Sequence, residues 1–345
     1  MTSILYNEIA IIAMVWILGI IGFLANGLIF FKAIKYRKTA SAVRVDVSTA
    51  TAVSRARPTA KNQTFGILVI NLAIADFIGS IYLLILAVAD VRYRFICTDH
   101  NNVTSSSTND TVIYFMWLNN VGCYAARFIN ITSVSHSTMI TWLIALDRFL
   151  NVIYPFSPNL RLTAKRAIHL STISLLCSMI AASVADIFAS MTIPFMSHNR
   201  SFRYHNLCSV DNLSYLHVKI LLLALTLSGS INYFSILFMY FTIWRKLRYN
   251  KASLSSVLAR PIGINQRIER KILFVTAIIC CTSFLVWIPS LTLTFITVSN
   301  GKIIESNNNL QFMIVIIALI LQSSASINPI VLLLLTHNNI QIFRR

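Results

Sequence analysis

The side chains that could do chemistry in this sequence are few, and most of them interrupt apolar runs. Asp76 closes the stretch Asn71-Leu-Ala-Ile-Ala-Asp76. Between Cys123 and Phe156 come Arg127, Asn130, Ser133, Ser135, His136 and Ser137, then Asp147-Arg148-Phe149 and Tyr154-Pro155-Phe156. Asp186, Tyr240 and Glu269 follow, with two polar proline sites, Trp287-Ile-Pro289-Ser290 and Gln322-Ser323-Ser324-Ala-Ser326-Ile-Asn328-Pro329. Such groups can pair charges, exchange hydrogen bonds and bend helices. They do not compose a catalytic site: His136 has no nucleophile and orienting group to work with, and the seven histidines lack metal-ligand spacing. Ionisable groups deep in apolar sequence are costly unless partners solvate them, so Asp76 is a functional candidate by default.

The elements that must position these residues are set by composition. Hydrophobic residues are 56% of the chain and charged residues 12%, with a mean hydropathy of +0.70, whereas a soluble domain carries about 25% charged residues. The solvent is therefore lipid. Seven apolar runs, at 9–31, 65–89, 116–146, 167–190, 216–243, 271–297 and 309–335, are each near or above the roughly 20 residues a spanning helix needs. Barrel-type alternation is absent, and helices are the other way to satisfy every backbone group in hydrocarbon. The expected fold is an all-α membrane protein, a seven-transmembrane helix bundle. Its third helix, read from Cys123 to Asp147, is about 36 Å long at about 1.5 Å per residue, and its polar interior places it in the middle of the bundle.

Charge sets the orientation. The connectors 32–64, 147–166, 244–271 and 336–345 hold most of the 29 Lys and Arg, while the opposite side holds only Arg92, Arg94, Arg200, Arg203 and Lys302. Excess base marks the cytoplasmic side, so the N-terminus is expected outside and the C-terminus inside, with the first helix a retained anchor. A nucleic-acid partner is not implied by the net charge of +18, because that charge follows the membrane faces. Cys123 and Cys208 then both lie outside, where a disulfide is permitted and would pin the connector 191–215 over the bundle mouth; Cys97 is left without an assigned partner. Glycosylation sequons at Asn102, Asn109, Asn199 and Asn212 fall on the same side. Residues 32–64, rich in Ala, Ser, Thr and Arg, are expected to form a long flexible first intracellular loop. Pro289 removes a backbone hydrogen bond and should make a pivot in the sixth helix. Asp186 in the fourth helix could pair with Arg127, a structural alternative to a ligand contact.

Taken together, Asn26, Asp76, Cys123, Asp147-Arg148, Trp287-x-Pro289 and Asn328-Pro329 resemble the markers of the rhodopsin-like G-protein-coupled receptors, in order and spacing, from Ile9 to about Thr336. Ile81-Tyr-Leu-Leu-Ile with Asp90, Tyr154-Pro155-Phe156 and Ser326-Ile-Asn-Pro-Ile330 are most similar to the membrane domain of glycoprotein-hormone and relaxin receptors, although only eight residues precede the first helix here. The resemblance implies a plasma-membrane, multi-pass receptor for an extracellular, peptide or hormone-like ligand, coupled to heterotrimeric G proteins. It implies that Arg148 is held by Asp147 and by Glu269 on helix six, that Tyr240 joins the active state, and that Phe156 is a knob offered to the G protein. It implies a sodium-sized pocket at Asp76, Ser137, Ser324 and Asn328, since oxygen ligands around one carboxylate suit a hard cation. Arg127, Asn130, Trp287 and Gln322 become the ligand-pocket candidates. Basic residues on the inner loops would favour anionic membrane lipids.

Departures from the family pattern bear on what the chain can do. Leu332 stands where a tyrosine follows Asn-Pro, Asn232 replaces the fifth-helix proline, Ser283 an aromatic of helix six, and the fourth-helix tryptophan is missing. These motivate an alternative, a signalling-impaired decoy or heteromer subunit. Retinal is excluded as a cofactor because residues 309–335 contain no lysine for a Schiff base, with Gln322 at the expected place. Asn130 where amine receptors need a carboxylate argues against a cationic-amine ligand. A transporter or channel would want an internal repeat, and none is found.

Overall fold

A computed structural model describes Leu5 and residues 8–46, 60–100, 116–192, 207–208, 216–254, 264–299 and 308–337; over 34–46, 60–62, 97–100, 158, 192, 250–254, 264–271, 297–298, 308–311 and 334–337 it describes backbone alone. The described residues form seven α-helices, α1 (Ile9–Asp46), α2 (Ala60–His100), α3 (Val121–Ile153), α4 (Ala164–Thr192), α5 (Leu216–Leu254), α6 (Ile264–Ser299) and α7 (Asn308–His337), and one 3-10 turn at Pro158–Leu160. Each packs on the next in sequence, and α1 against α7 closes the ring; α3 also touches α5 and α6. This is a seven-helix membrane bundle.

Six of the helices are long and apolar enough to cross a membrane. The exception is α3, expected as an apolar run over 116–146 but too polar to qualify. Most of its polar groups are turned inward: Arg127, Ser133, His136, Ser137, Asp147 and Arg148 are all buried. In α2, 61% of the apolar window is buried, against 28% in α1, α4 and α5, which therefore turn most of their circumference to lipid. On α4 the buried positions are small, Ala167, Ser171, Ser174, Ser178, Ala182, Ala185 and Ala189, recurring every three or four residues. Small residues let membrane helices approach closely. His136 Nδ1 meets Ser174 Oγ across this seam at 2.9 Å.

The helix ends explain themselves locally. Asn120 caps α3, its Oδ1 accepting the Gly122 N–H at 2.8 Å, which satisfies an orphan donor of the first turn. Tyr154 ends α3 ahead of Pro155, as the residue before a proline disfavours helix. Lys246 of α5 donates to the Ile153 carbonyl at 2.7 Å, placing a cation at the negative end of α3.

Within the stretch 32–64, expected as a flexible loop, α1 runs on to Asp46 and α2 begins at Ala60, with 47–59 outside the described residues. The reason is composition, since Ala, Lys and Arg are good helix formers and no glycine or proline intervenes between Phe31 and Asp46. α2 likewise continues past residue 89 to His100, through a stretch without glycine or proline.

Candidate functional site

The bundle has an apolar cluster at each end and a polar waist between. The outer cluster joins Tyr82, Leu86, Trp117, Leu207 and the Cys123–Cys208 pair; the inner one joins Phe65, Leu72, Ile140, Ile272 and Leu332. The waist begins with Asp76 on α2, which is 1% exposed. Its Oδ1 accepts from Ser137 Oγ at 2.8 Å and its Oδ2 from Asn328 Nδ2 at 3.0 Å. Asn26 belongs to the same layer for a backbone reason: Pro329 has no N–H for the Ala325 carbonyl four residues earlier. Asn26 Nδ2 supplies the missing donor at 2.8 Å, tying α1 to α7.

A cavity of ≈ 10 Å³ opens beside Asp76, lined by Ser133, Ser137, Ser283, Trp287, Gln322 and Ser324 among others, room for about one water or ion. One carboxylate and several hydroxyls form a donor set that fits a hard monovalent cation. Asn328 is not among the residues lining the cavity; it meets Asp76 through its NH₂. A buried carboxylate needs donors, and this is one of them. The Asn328 Oδ1 is buried with no partner among the described residues.

At the inner end of α3, Asp147 is fully buried and Arg148 is 6% exposed. Arg148 Nε donates to Asp147 Oδ2 at 3.0 Å, and a second guanidinium N–H reaches the same oxygen. Asn151 Nδ2 donates to the Asp147 backbone and side-chain oxygens at 2.8 and 3.1 Å. The guanidinium lies 4.9 Å from the Phe65 ring centroid, a cation–π contact. The expected second partner, Glu269, has a side chain outside the described residues. Phe156, 95% exposed, projects from a connector held by Arg161 donating to the Pro155 carbonyl and by Thr64 Oγ1 donating to the Leu162 carbonyl at 3.1 Å.

Between α3, α5 and α6 lies a third cluster of Ala145, Tyr233, Ile236, Met239, Cys280 and Trp287. The Trp287 indole sits on Gly229: a Cβ there would lie 2.2 Å from its Cζ2. No residue larger than glycine fits, so Gly229 sets how close α5 and the Trp287 turn of α6 can come. Nothing in the sequence pattern singled it out, although a Gly at Ser228-Gly229-Ser230, inside the apolar run 216–243, is the signal of a close approach. Asn232 donates to Met139 Sδ at 3.4 Å, and Tyr240 stands beside Thr276 and Cys280. Leu332 is 4% exposed within the inner apolar cluster.

The ligand-pocket candidates divide. Arg127, 2% exposed, pairs with Asp186 Oδ1 at 3.2 Å and stacks 5.5 Å from the Tyr124 centroid; it is engaged with α4. Asn130 accepts a hydrogen bond from Gln322, joining α3 to α7 above the cavity. Toward the outer end lie Leu207 and Cys208, the latter bonded to Cys123 with a Cα separation of 5.4 Å, and Tyr82 Oη donates to the Leu207 carbonyl at 2.9 Å. The sequons at Asn102, Asn109, Asn199 and Asn212 and the side chain of Cys97 lie outside the described residues.

Residues 49–332 match the family model of the seven-transmembrane receptors of the rhodopsin family. No curated protein matches the chain significantly.

Proposed function

Since the chain belongs to the rhodopsin family of seven-transmembrane receptors, we propose that it sits in the plasma membrane and carries the signal of an extracellular ligand to heterotrimeric G proteins through movement of α6. The observation that carries this reading is the buried Asp147–Arg148 pair at the basic end of the bundle, beside the exposed Phe156. A guanidinium kept from water by a carboxylate and a ring face offers its donor fork to a partner only when the helices around it separate, and Ile272 of α6 packs in the same inner cluster as Phe65. Pro289, inside α6, removes the hydrogen bond that would stiffen the helix there. Trp287, two residues earlier and seated on Gly229, couples that turn to α5 and, along the cavity wall, to Asp76. The ligand would bear on Asn130, Gln322 and Trp287 from above. Its function is binding and conformational change rather than catalysis. The closer likeness to glycoprotein-hormone and relaxin receptors rests on the sequence stretches quoted for it, and a peptide or hormone-like ligand follows that likeness.

A recruitment assay on the full-length receptor and on Arg148→Ala, at matched surface expression and alongside a ligand screen with calcium or cyclic-nucleotide readout, tests the reading. Recruitment is expected to fall in the variant. Equal recruitment would favour the second reading, a receptor-like decoy or heteromer subunit, which Leu332 motivates by offering Tyr240 no hydroxyl.

Asp76 with the Ser137 and Ser324 hydroxyls would hold a sodium ion, which when bound would supply a positive charge between α2, α3 and α7. Exchanging sodium for a bulky organic cation is then expected to lower the thermal midpoint by the equivalent of about 1–2 kcal/mol, as for a ligand near ten times its Kd. Asp76→Asn should abolish the difference, and an unchanged sodium response in that variant would contradict the site.

A further inference from the structure

We propose that the receptor binds one acidic phospholipid in a trough on the lipid-facing side of α2. Between α2 and the stretch 117–122 lies a second cavity, of ≈ 340 Å³, within the range of about 300–1,000 Å³ typical of ligand pockets. Ile81, Leu84 and Val88 form its floor on one face of α2, Trp117 its wall, and Arg92 and Asn120 its outer end. Val88 is 58% exposed, so the trough opens sideways toward hydrocarbon. The opposite face of α2, with Tyr82, Leu83 and Leu86, is buried in the outer cluster, which separates the trough from the bundle mouth.

Depth and charge select the occupant. From Ile81 to Arg92 the helix rises about 16 Å, close to half the roughly 30 Å hydrocarbon core. An acyl chain lying along Ile81–Val88 would therefore bring its phosphate to Arg92. That guanidinium is exposed and makes no ion pair among the described residues, whereas its neighbour Arg94 is spent on the buried Asp90 at 2.9 Å. An unpaired cation at the membrane boundary complements a headgroup of net negative charge; a sterol hydroxyl has no use for it, and a zwitterionic lipid brings its own ammonium. The headgroup also meets Asn120, the cap of α3, three residues from Cys123. An occupied trough braces the outer start of α3.

The test places the full-length receptor in phosphatidylcholine nanodiscs containing a trace of phosphatidylglycerol with a diazirine on its acyl chain, and maps the crosslinks. Labelling is expected at Ile81–Val88 and Trp117 well above that at Phe234, Phe238 and Phe241, lipid-facing residues of α5, and excess unlabelled phosphatidylglycerol should compete it away. Arg92→Gln should reduce it about fivefold, the size expected for loss of one exposed ion pair near the upper end of its usual worth, and Val88→Trp should block it by filling the trough. Both side chains face outward, so folding is spared. Labelling no stronger than on α5, labelling indifferent to Arg92→Gln, or competition by cholesterol in place of phosphatidylglycerol would each overturn the proposal.

Discussion

Cys208→Ser is expected to abolish surface expression and ligand response together. The Cys123–Cys208 bond closes a sequence separation of 85 residues, and the chain-entropy relation puts such a link at about 4–5 kcal/mol. Both sulfurs are fully buried in the outer cluster with Leu207 and Trp117, so a serine hydroxyl would stand without the bond and among apolar groups. Cys208 also holds a left-handed backbone, φ 52°, which a non-glycine residue keeps only when its surroundings fix it. The Tyr82 hydrogen bond to the Leu207 carbonyl then loses its fixed acceptor. Cys123→Ser and the double variant should match the single one, because one link is lost in every case. Surface staining with thermal midpoints in detergent checks this; normal expression of the double variant would contradict the structural role of the bond.

The second large effect is asymmetric. Asp186→Ala strands the Arg127 guanidinium, 2% exposed, with its acceptor gone, and removing one partner of a buried pair costs about 3–5 kcal/mol. Arg127→Met is milder, since the Asp186 side chain retains 20% exposure through which water can reach it. The double variant should be more stable than Asp186→Ala alone, a coupling that a thermal double-variant cycle measures. If Arg127 instead serves the ligand directly, Asp186→Ala would leave stability intact and shift only the ligand response.

What the sequence made legible were features carried by residue type within one helix. The polar content of α3 marked it as interior because lipid would not tolerate it, and Asp76 announced partners by the same logic; Ser137 and Asn328 are those partners. Cys123 and Cys208 were paired by compartment. Features that depend on two helices meeting were mostly hidden. Nothing near Asn26 says that its amide serves the carbonyl four residues before Pro329, although the orphan carbonyl itself follows from the proline. Gly229 under Trp287 and the small-residue seam of α4 are properties of an approach distance, which periodicity within one helix does not encode. Asn328 turns its amide NH₂ to Asp76 because a buried carboxylate demands donors. The extension of α1 to Asp46 was missed because a polar composition was read as flexibility, when Ala, Lys and Arg extend a helix equally well into water.

The claim on which the rest turns is that the Asp147–Arg148 end faces the cytosol and the disulfide end the exterior. Ile9 at the start of α1 and Phe156 beyond α3 are 83% and 95% exposed and lie at opposite ends. With Ile9→Cys and Phe156→Cys made separately, a membrane-impermeant maleimide on intact cells, measured against the unsubstituted receptor, is expected to label Ile9→Cys at once and Phe156→Cys only after permeabilisation. Labelling of Phe156→Cys on intact cells, with Ile9→Cys protected, would turn Arg148 to the outside and remove any route to a G protein.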